Sequence, residues 1–195
     1  MKRWIMISLL TGAAMTVFAQ VGEISISAGQ SKFRNNVLGS ADGVEYKVES
    51  DFRLGFRFTF NNDRFYGHEI GYAYNHGSFK AETTPPQSVG MPVHQGMYNF
   101  LMYGTREGSP VRPFVTGGGH FSTFYPPGAS VFSGNGVTKF GYNYGLGIKA
   151  RVTSMFLIRL DLRNYITAKP FGDSFRDQKG MLNQLEVSAG LALAF

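Results

Sequence analysis

His76, Gly77 and Ser78 stand in a row, Glu82 follows four residues later, and His94 and His120 come within the next stretch of chain. A serine becomes nucleophilic when an imidazole takes its proton and a carboxylate orients the ring, so His76, Ser78 and Glu82 are candidate catalytic residues. The three histidines could instead offer imidazole nitrogens to a metal ion. Either chemistry needs the chain to bring the groups together. If 77–93 closes a hairpin whose paired residue numbers sum to about 170, His76 faces His94 and Tyr72 faces Tyr98, with His120 close by. All three histidines would then sit near one rim and, by parity, on the outer face. Histidine and serine are ordinary residues at a wet rim, and that plainer reading is favoured: not an enzyme, no metal, no cofactor.

A second set of reactive groups is spread along the chain rather than clustered. Glu23, Asp51, Arg53, Arg57, Glu69, Lys149, Arg159, Asp161, Arg163 and Glu186 each fall on the polar side of an alternating segment. Charges of both signs gathered into one narrow space neutralise one another, whereas an unpaired buried charge is costly. Arg53, Arg159 and Arg163 are the expected hubs, each needing a carboxylate such as Asp51, Asp161 or Glu186. Ionisable groups inside a membrane are functional candidates by default, so an ion or proton path is the alternative to a structural plug.

The elements that would position these groups have a period of two. From 52 to 60 the chain reads FRLGFRFTF, with Phe or Leu at every even position and Arg, Gly or Thr at every odd one. The pattern recurs at 140–148, 156–162 and 184–195, and more weakly at about 21–30, 65–76, 94–103 and 113–124. Apolar and polar residues in strict alternation describe strands with two unlike faces. Between them the connectors alternate long and short: 31–45, 61–64, 77–93, 104–112, 125–137, 152–155 and 166–181. Asn61-Asn62-Asp63 suits a tight turn, and Thr83-Thr84-Pro85-Pro86 interrupts a strand.

Eight such strands, short turns at one end and longer loops at the other, describe an all-β fold: an eight-stranded antiparallel up-and-down transmembrane β-barrel of the bacterial outer membrane, with both termini periplasmic. A soluble barrel with its apolar face inward is the competing architecture. The polar faces argue against it, because they carry Gly, Ser, Asn and mixed charges rather than a solvated Lys/Glu coat. An eight-stranded barrel is just wide enough to be filled by side chains. Phe52, Phe56, Phe58, Phe60, Phe140, Tyr142, Tyr144, Phe156 and Phe195 would then face lipid. The 25 glycines among 195 residues, about twice average usage, would supply space inside.

Leu191-Ala192-Leu193-Ala194-Phe195 resembles the C-terminal strand of outer-membrane proteins, which ends in Phe with apolar residues at alternate positions upstream. The resemblance makes Leu191, Leu193 and Phe195 an assembly signal and the barrel-assembly machinery a partner. Together with Arg112-Pro113-Phe114-Val115-Thr116-Gly117-Gly118-Gly119 and 157–165, it makes residues 20–195 similar to the outer-membrane β-barrel domain family of small OmpA/OmpX-type barrels. Members of that family are variously anchors, adhesins, host-interaction proteins and narrow pores. The His-Gly-Ser spacing resembles part of the lipid A deacylase signature. Here Phe79 replaces the asparagine after the serine, Glu82 lies too near for the acid, and the motif is on the third strand. The expected function is therefore an integral barrel acting structurally or through surface loops, with a narrow porin-like channel or an outer-leaflet lipid A-modifying hydrolase as alternatives.

Composition fits export. Lys2, Arg3, an apolar run from Trp4 and Val17-Phe18-Ala19 before Gln20 read as a signal peptide cleaved after residue 19. Its loss lowers the formal charge from +6 to +4. The remaining basic residues are scattered, so no nucleic acid is implied. With no cysteine there is neither a disulfide nor a lipid-anchoring thiol. Expected partners are outer-membrane lipid and lipopolysaccharide, to which Lys169, Arg176 and Lys179 in the 168–180 loop could bind, and an extracellular partner of unknown identity.

Overall fold

The computed structural model describes residues 21–62, 65–126, 128–129, 135–171 and 180–195. The expected signal segment 1–19 and the loop residues Arg176 and Lys179 lie outside them. Nine strand segments follow in order: β1 (Val21–Asn35), β2 (Val37–Ala41), β3 (Val44–Asn61), β4 (Tyr66–Ala81), β5 (Gln87–Tyr103), β6 (Val111–Phe124), β7 (Val137–Arg151), β8 (Phe156–Ala168) and β9 (Met181–Ala194). Neighbouring staves pair antiparallel, and β1 pairs with both β3 and β9, closing the sheet. β1 and β2 both run along β3, so the barrel has eight staves. No helix of the described residues is long and apolar enough to cross a membrane.

Closure is completed where the start of β1 meets the end of β9. Gly22 N–H donates to the Phe195 carbonyl at 3.1 Å, and Phe195 N–H donates to the Gly22 carbonyl at 2.9 Å. Connectors at this end are 62–65, 104–110 and 152–155, and those at the far end are 82–86, 125–136 and 169–180, with a two-residue turn between β2 and β3. That turn is Asp42-Gly43, with φ of 50° and 78°. Both values suit the primed turns that match strand twist. The 31–45 and 77–93 segments, expected as loops, are thus mostly strand.

The reason is that the facing pattern inverts partway up the wall. In the half nearer the termini, Phe52, Leu54 and Phe56 of β3 and Tyr142, Tyr144 and Leu146 of β7 point outward, with Arg53, Arg57, Asn143 and Lys149 inside. In the far half, Phe33, Leu38, Val48, Met91, Val93, Phe124 and Leu182 form a buried apolar cluster inside, packed by Tyr46, Phe79 and Phe171. There Lys32, Arg34, Glu45 and Glu82 are outside and exposed, with Glu49 and Lys80 partly so. One half is built like a membrane barrel and the other like a soluble one. A spanning strand needs about 9–11 residues. The 18 residues of β3 exceed that, and the surplus is the inverted half.

Glycine makes the filled interior sterically feasible. Arg57 lies across from Gly71 and Arg163 across from Gly145. A Cβ on Gly71 would come within 3.3 Å of the Arg57 Cγ, and one on Gly145 within 2.8 Å of the Arg163 Cγ. The two guanidinium stems run through space that the glycines leave open.

Candidate functional site

Residues bearing charge converge inside the half nearer the termini. At the bottom, Lys149 from β7 pairs with Glu23 from β1 and donates to the Tyr103 hydroxyl at 2.9 Å. Tyr103 donates to Asn61 Oδ1 at 2.8 Å, and Asn61 donates through Nδ2 to Glu23 at 2.8 Å, so four strands share one ring of bonds. Arg112 lies 3.7 Å from the Tyr103 ring centre and pairs with Glu107 of the 104–110 connector.

The middle layer holds Glu69 and Asp161 against three arginines. Asp161 accepts from Arg159 at 2.7 and 3.0 Å and from Arg163 at 2.9 and 3.0 Å, with Arg57 at 3.6 Å. Glu69 meets Arg159 at 2.6 Å, Arg163 at 2.8 Å and Arg57 at 3.9 Å. Above them Glu186 joins Arg57 at 2.7 Å and Arg53 at 3.0 Å, and it accepts from Tyr165 at 2.8 Å. Four arginines thus share three carboxylates. Arg53 turns to neutral acceptors, donating to Asn75 Oδ1 at 2.8 Å, Tyr165 at 3.0 Å and Gln95. Gln184 and Ser122 continue this amide and hydroxyl layer upward to the apolar cluster.

Nine of the ten charged residues expected inside are buried there: Glu23, Arg53, Arg57, Glu69, Lys149, Arg159, Asp161, Arg163 and Glu186. Asp51 is not one of them; its side chain is exposed. The β3–β4 register shifts between Ser50 and Arg53, which breaks the alternation and turns Asp51 out of the wall. Tyr165, Gln95, Asn75, Gln184 and Arg112 belong to the network although only charge on the alternating segments points to it in the sequence. Each shares inward parity with its strand's charged or polar residues, and that is the available signal.

The reactive candidates do not assemble. Paired residues on β4 and β5 sum to 168, so His76 faces Pro92, Tyr74 faces His94 and Tyr72 faces Gly96. His94 Nδ1 shares a hydrogen bond with the Tyr72 hydroxyl. His120, expected on the outer face, points inward, where its Nε2 bonds Thr167 Oγ1 at 2.8 Å and its ring packs edge-on against Tyr165. Even positions of β6 face the interior, as Arg112, Thr116 and Ser122 also show. Glu82 accepts from Lys47 at 3.0 Å, and no hydrogen bond joins it to His76 or Ser78 among the described residues. Glu45 and Glu82 together hold the exposed Lys47 ammonium above the ordinary lysine range, the Glu45 hydrogen bond first. Among the described residues no three His, Asp or Glu side chains gather as a metal site. Leu191 and Phe195 are exposed on the outer face. Leu193 shares the outward parity of Leu191 and is half-buried.

No model of a known protein family matches the chain, and no curated protein matches it in sequence. Solved structures do match in shape. The outer membrane protein OprG from Pseudomonas aeruginosa superposes with a TM-score of 0.63 at 14% identity, over 89% of this chain and 96% of that one. Neisserial surface protein A gives 0.60 at 16% identity, over 89% and 97%. The outer membrane protein AlkL gives 0.54 at 12% identity, over 89% and 90%. The fold is that of the small eight-stranded outer-membrane barrels.

Proposed function

We propose that the chain is an integral outer-membrane protein whose interior is a structural plug and whose far rim does its work outside the cell, by contact with lipopolysaccharide or a surface partner. The inversion of facing carries this reading. The half with apolar residues outside and ion-paired charge inside suits hydrocarbon, where every backbone group must be bonded within the barrel. The half with polar residues outside and Phe33, Val48, Met91 and Phe124 inside suits water. It belongs on the extracellular side if the termini are periplasmic. His76, Ser78 and Glu82 take no catalytic role in this reading.

A porin-like channel is disfavoured because the charged layers and the apolar cluster fill successive levels of the interior. The purified barrel in planar bilayers is expected to be electrically silent. Reproducible discrete conductance steps from it would overturn the plug. Orientation has its own test, helped by a chain without cysteine. Thr84→Cys in the 82–86 connector is expected to react with an impermeant maleimide on intact cells. Ser154→Cys in the 152–155 connector should react only after the outer membrane is opened. The opposite labelling pattern would invert the topology.

A further inference from the structure

The ladders on both sides of β3 break at one level. Toward β1 and β2, pairing ends at Gln30 with Phe52 and resumes at Val37 with Lys47, so six residues face four. Toward β4, Ser50 pairs with Gly77 and Arg53 with Asn75, which sets His76 alone against Asp51 and Phe52. Breaks of this kind re-aim side chains, and here they open an outward recess of about 570 Å³, within the range of small-ligand sites. Phe33 and the Ser31 and Ser50 hydroxyls, 2.6 Å apart, form its back. The Val48 N–H, donating to the Asn36 carbonyl at 2.9 Å, closes its top.

Four titratable side chains line the recess: Lys32 from β1, Glu49 and Asp51 from β3, and His76 from β4. Lys80 neutralises Glu49 at 2.6 Å, which leaves one cation, one anion and an imidazole, with the uncharged Gln30, Asn36 and Ser78 beside them. Neither sign is in excess for a bare ion, and donors and acceptors are mixed. A sugar ring meets such a surface, because each of its hydroxyls both donates and accepts.

A second hollow, of about 790 Å³, continues the recess toward the termini, and Gln30 and Val187 line both. In the next row down, Ala28 pairs with Ala189, and the two alanines lie between Leu54 and Leu160, which are exposed on the outer wall. The trough they leave is two strands wide and runs down the face that the outer-membrane reading sets in hydrocarbon. Polar above and apolar below, the whole track has the shape of an amphiphile.

We propose that this track seats a glycolipid of the outer leaflet, with one sugar in the recess and one acyl chain over Ala28 and Ala189. The sugar hydroxyls donate to Asp51 and accept from Lys32. A lipid without a sugar would fill the trough and leave the polar recess unanswered. The inference deepens the lipopolysaccharide contact proposed above and rests on the same outer-membrane reading.

Native mass spectrometry of the detergent-purified chain with monophosphoryl lipid A, phosphatidylglycerol and the acyl-free glucosamine disaccharide tests it. One lipid A is expected to be retained, about tenfold or more tightly than either other probe. Asp51→Ala and Lys32→Ala should each weaken it about tenfold, the usual effect of one lost charged hydrogen bond. Ala189→Trp fills the trough and should weaken it by a similar factor, whereas Ile70→Trp on β4, outside the trough, should leave it unchanged. All four positions are exposed, and heat-dependent gel migration verifies that each variant remains a barrel. Phosphatidylglycerol held as tightly as lipid A, or lipid A binding unchanged by Asp51→Ala, Lys32→Ala and Ala189→Trp alike, overturns the proposal. Disaccharide bound as tightly as lipid A overturns the glycolipid as occupant and makes the recess a site for a soluble saccharide. A chain that selects none of the probes yet inserts into vesicles and labels as expected leaves the outer-membrane reading standing while this one falls.

Discussion

Replacing Asp161 with leucine is expected to cost the folded barrel about 3–5 kcal/mol, the usual result of removing one partner from a buried ion pair. Asp161 receives four short hydrogen bonds from Arg159 and Arg163 and stands 3.6 Å from Arg57. All three arginines are 0–1% exposed, so water cannot replace what the carboxylate gave. The remaining acids, Glu69 and Glu186, would face four guanidinium groups. Urea unfolding of the barrel in lipid vesicles measures the loss. Glu82→Gln, which touches only the exposed Lys47, should stay within about 0.5 kcal/mol of wild type. If Asp161→Leu proved as stable as Glu82→Gln, the interior would have to admit water or counter-ions, and the plug would be abandoned.

Gly118→Ala should be at least as damaging, for a steric reason. A Cβ on Gly118 would lie 2.0 Å from the Tyr98 carbonyl oxygen and 2.7 Å from the Asn99 Cα, both backbone of the paired strand β5. A flexible side chain can swing away, but a paired strand must separate. The cost is expected at or above ~3 kcal/mol, the top of the usual range for overpacking. Gly119 is the internal control, because its nearest neighbour would be the Gly141 carbonyl oxygen at 4.0 Å. Refolding yield, read from heat-dependent gel migration, should collapse for Gly118→Ala and hold for Gly119→Ala. Equal yields would show that the β5–β6 approach is looser than the structure has it.

The Gly117-Gly118-Gly119 run also marks the limit of what periodicity can convey. Alternation at 52–60, 140–148, 156–162 and 184–195 is enough to read strands, their faces and most of the buried charge, because lipid outside and a narrow interior impose opposite demands on alternate residues. A template in which apolar means outward fails wherever the surroundings change. In the half farther from Phe195, Phe33, Val48 and Met91 are apolar and inward, so the same rule applied there hides the upper strands in loops. Local slips are equally invisible. The shift between Ser50 and Arg53 removes Asp51 from the interior, and a two-residue difference in the β4–β5 pairing sets His76 against Pro92 instead of His94. The Asp42-Gly43 turn had a signal in the sequence, a dipeptide that favours two-residue hairpins. Gln95, Asn75 and Tyr165 carry no formal charge, yet Arg53 depends on them for acceptors.

The backbone bonds between Gly22 and Phe195 bring the first and last strands into register at one rim. Neighbourhood around the barrel is therefore independent of where the polypeptide is cut. A circular permutant joined across residues 195 and 22 and reopened within 82–86 would retain every strand pairing, while its final residue would no longer be Phe195. The stability held in the sheet and any message carried by Leu191, Leu193 and Phe195 can thus be separated within one molecule of nearly unchanged composition.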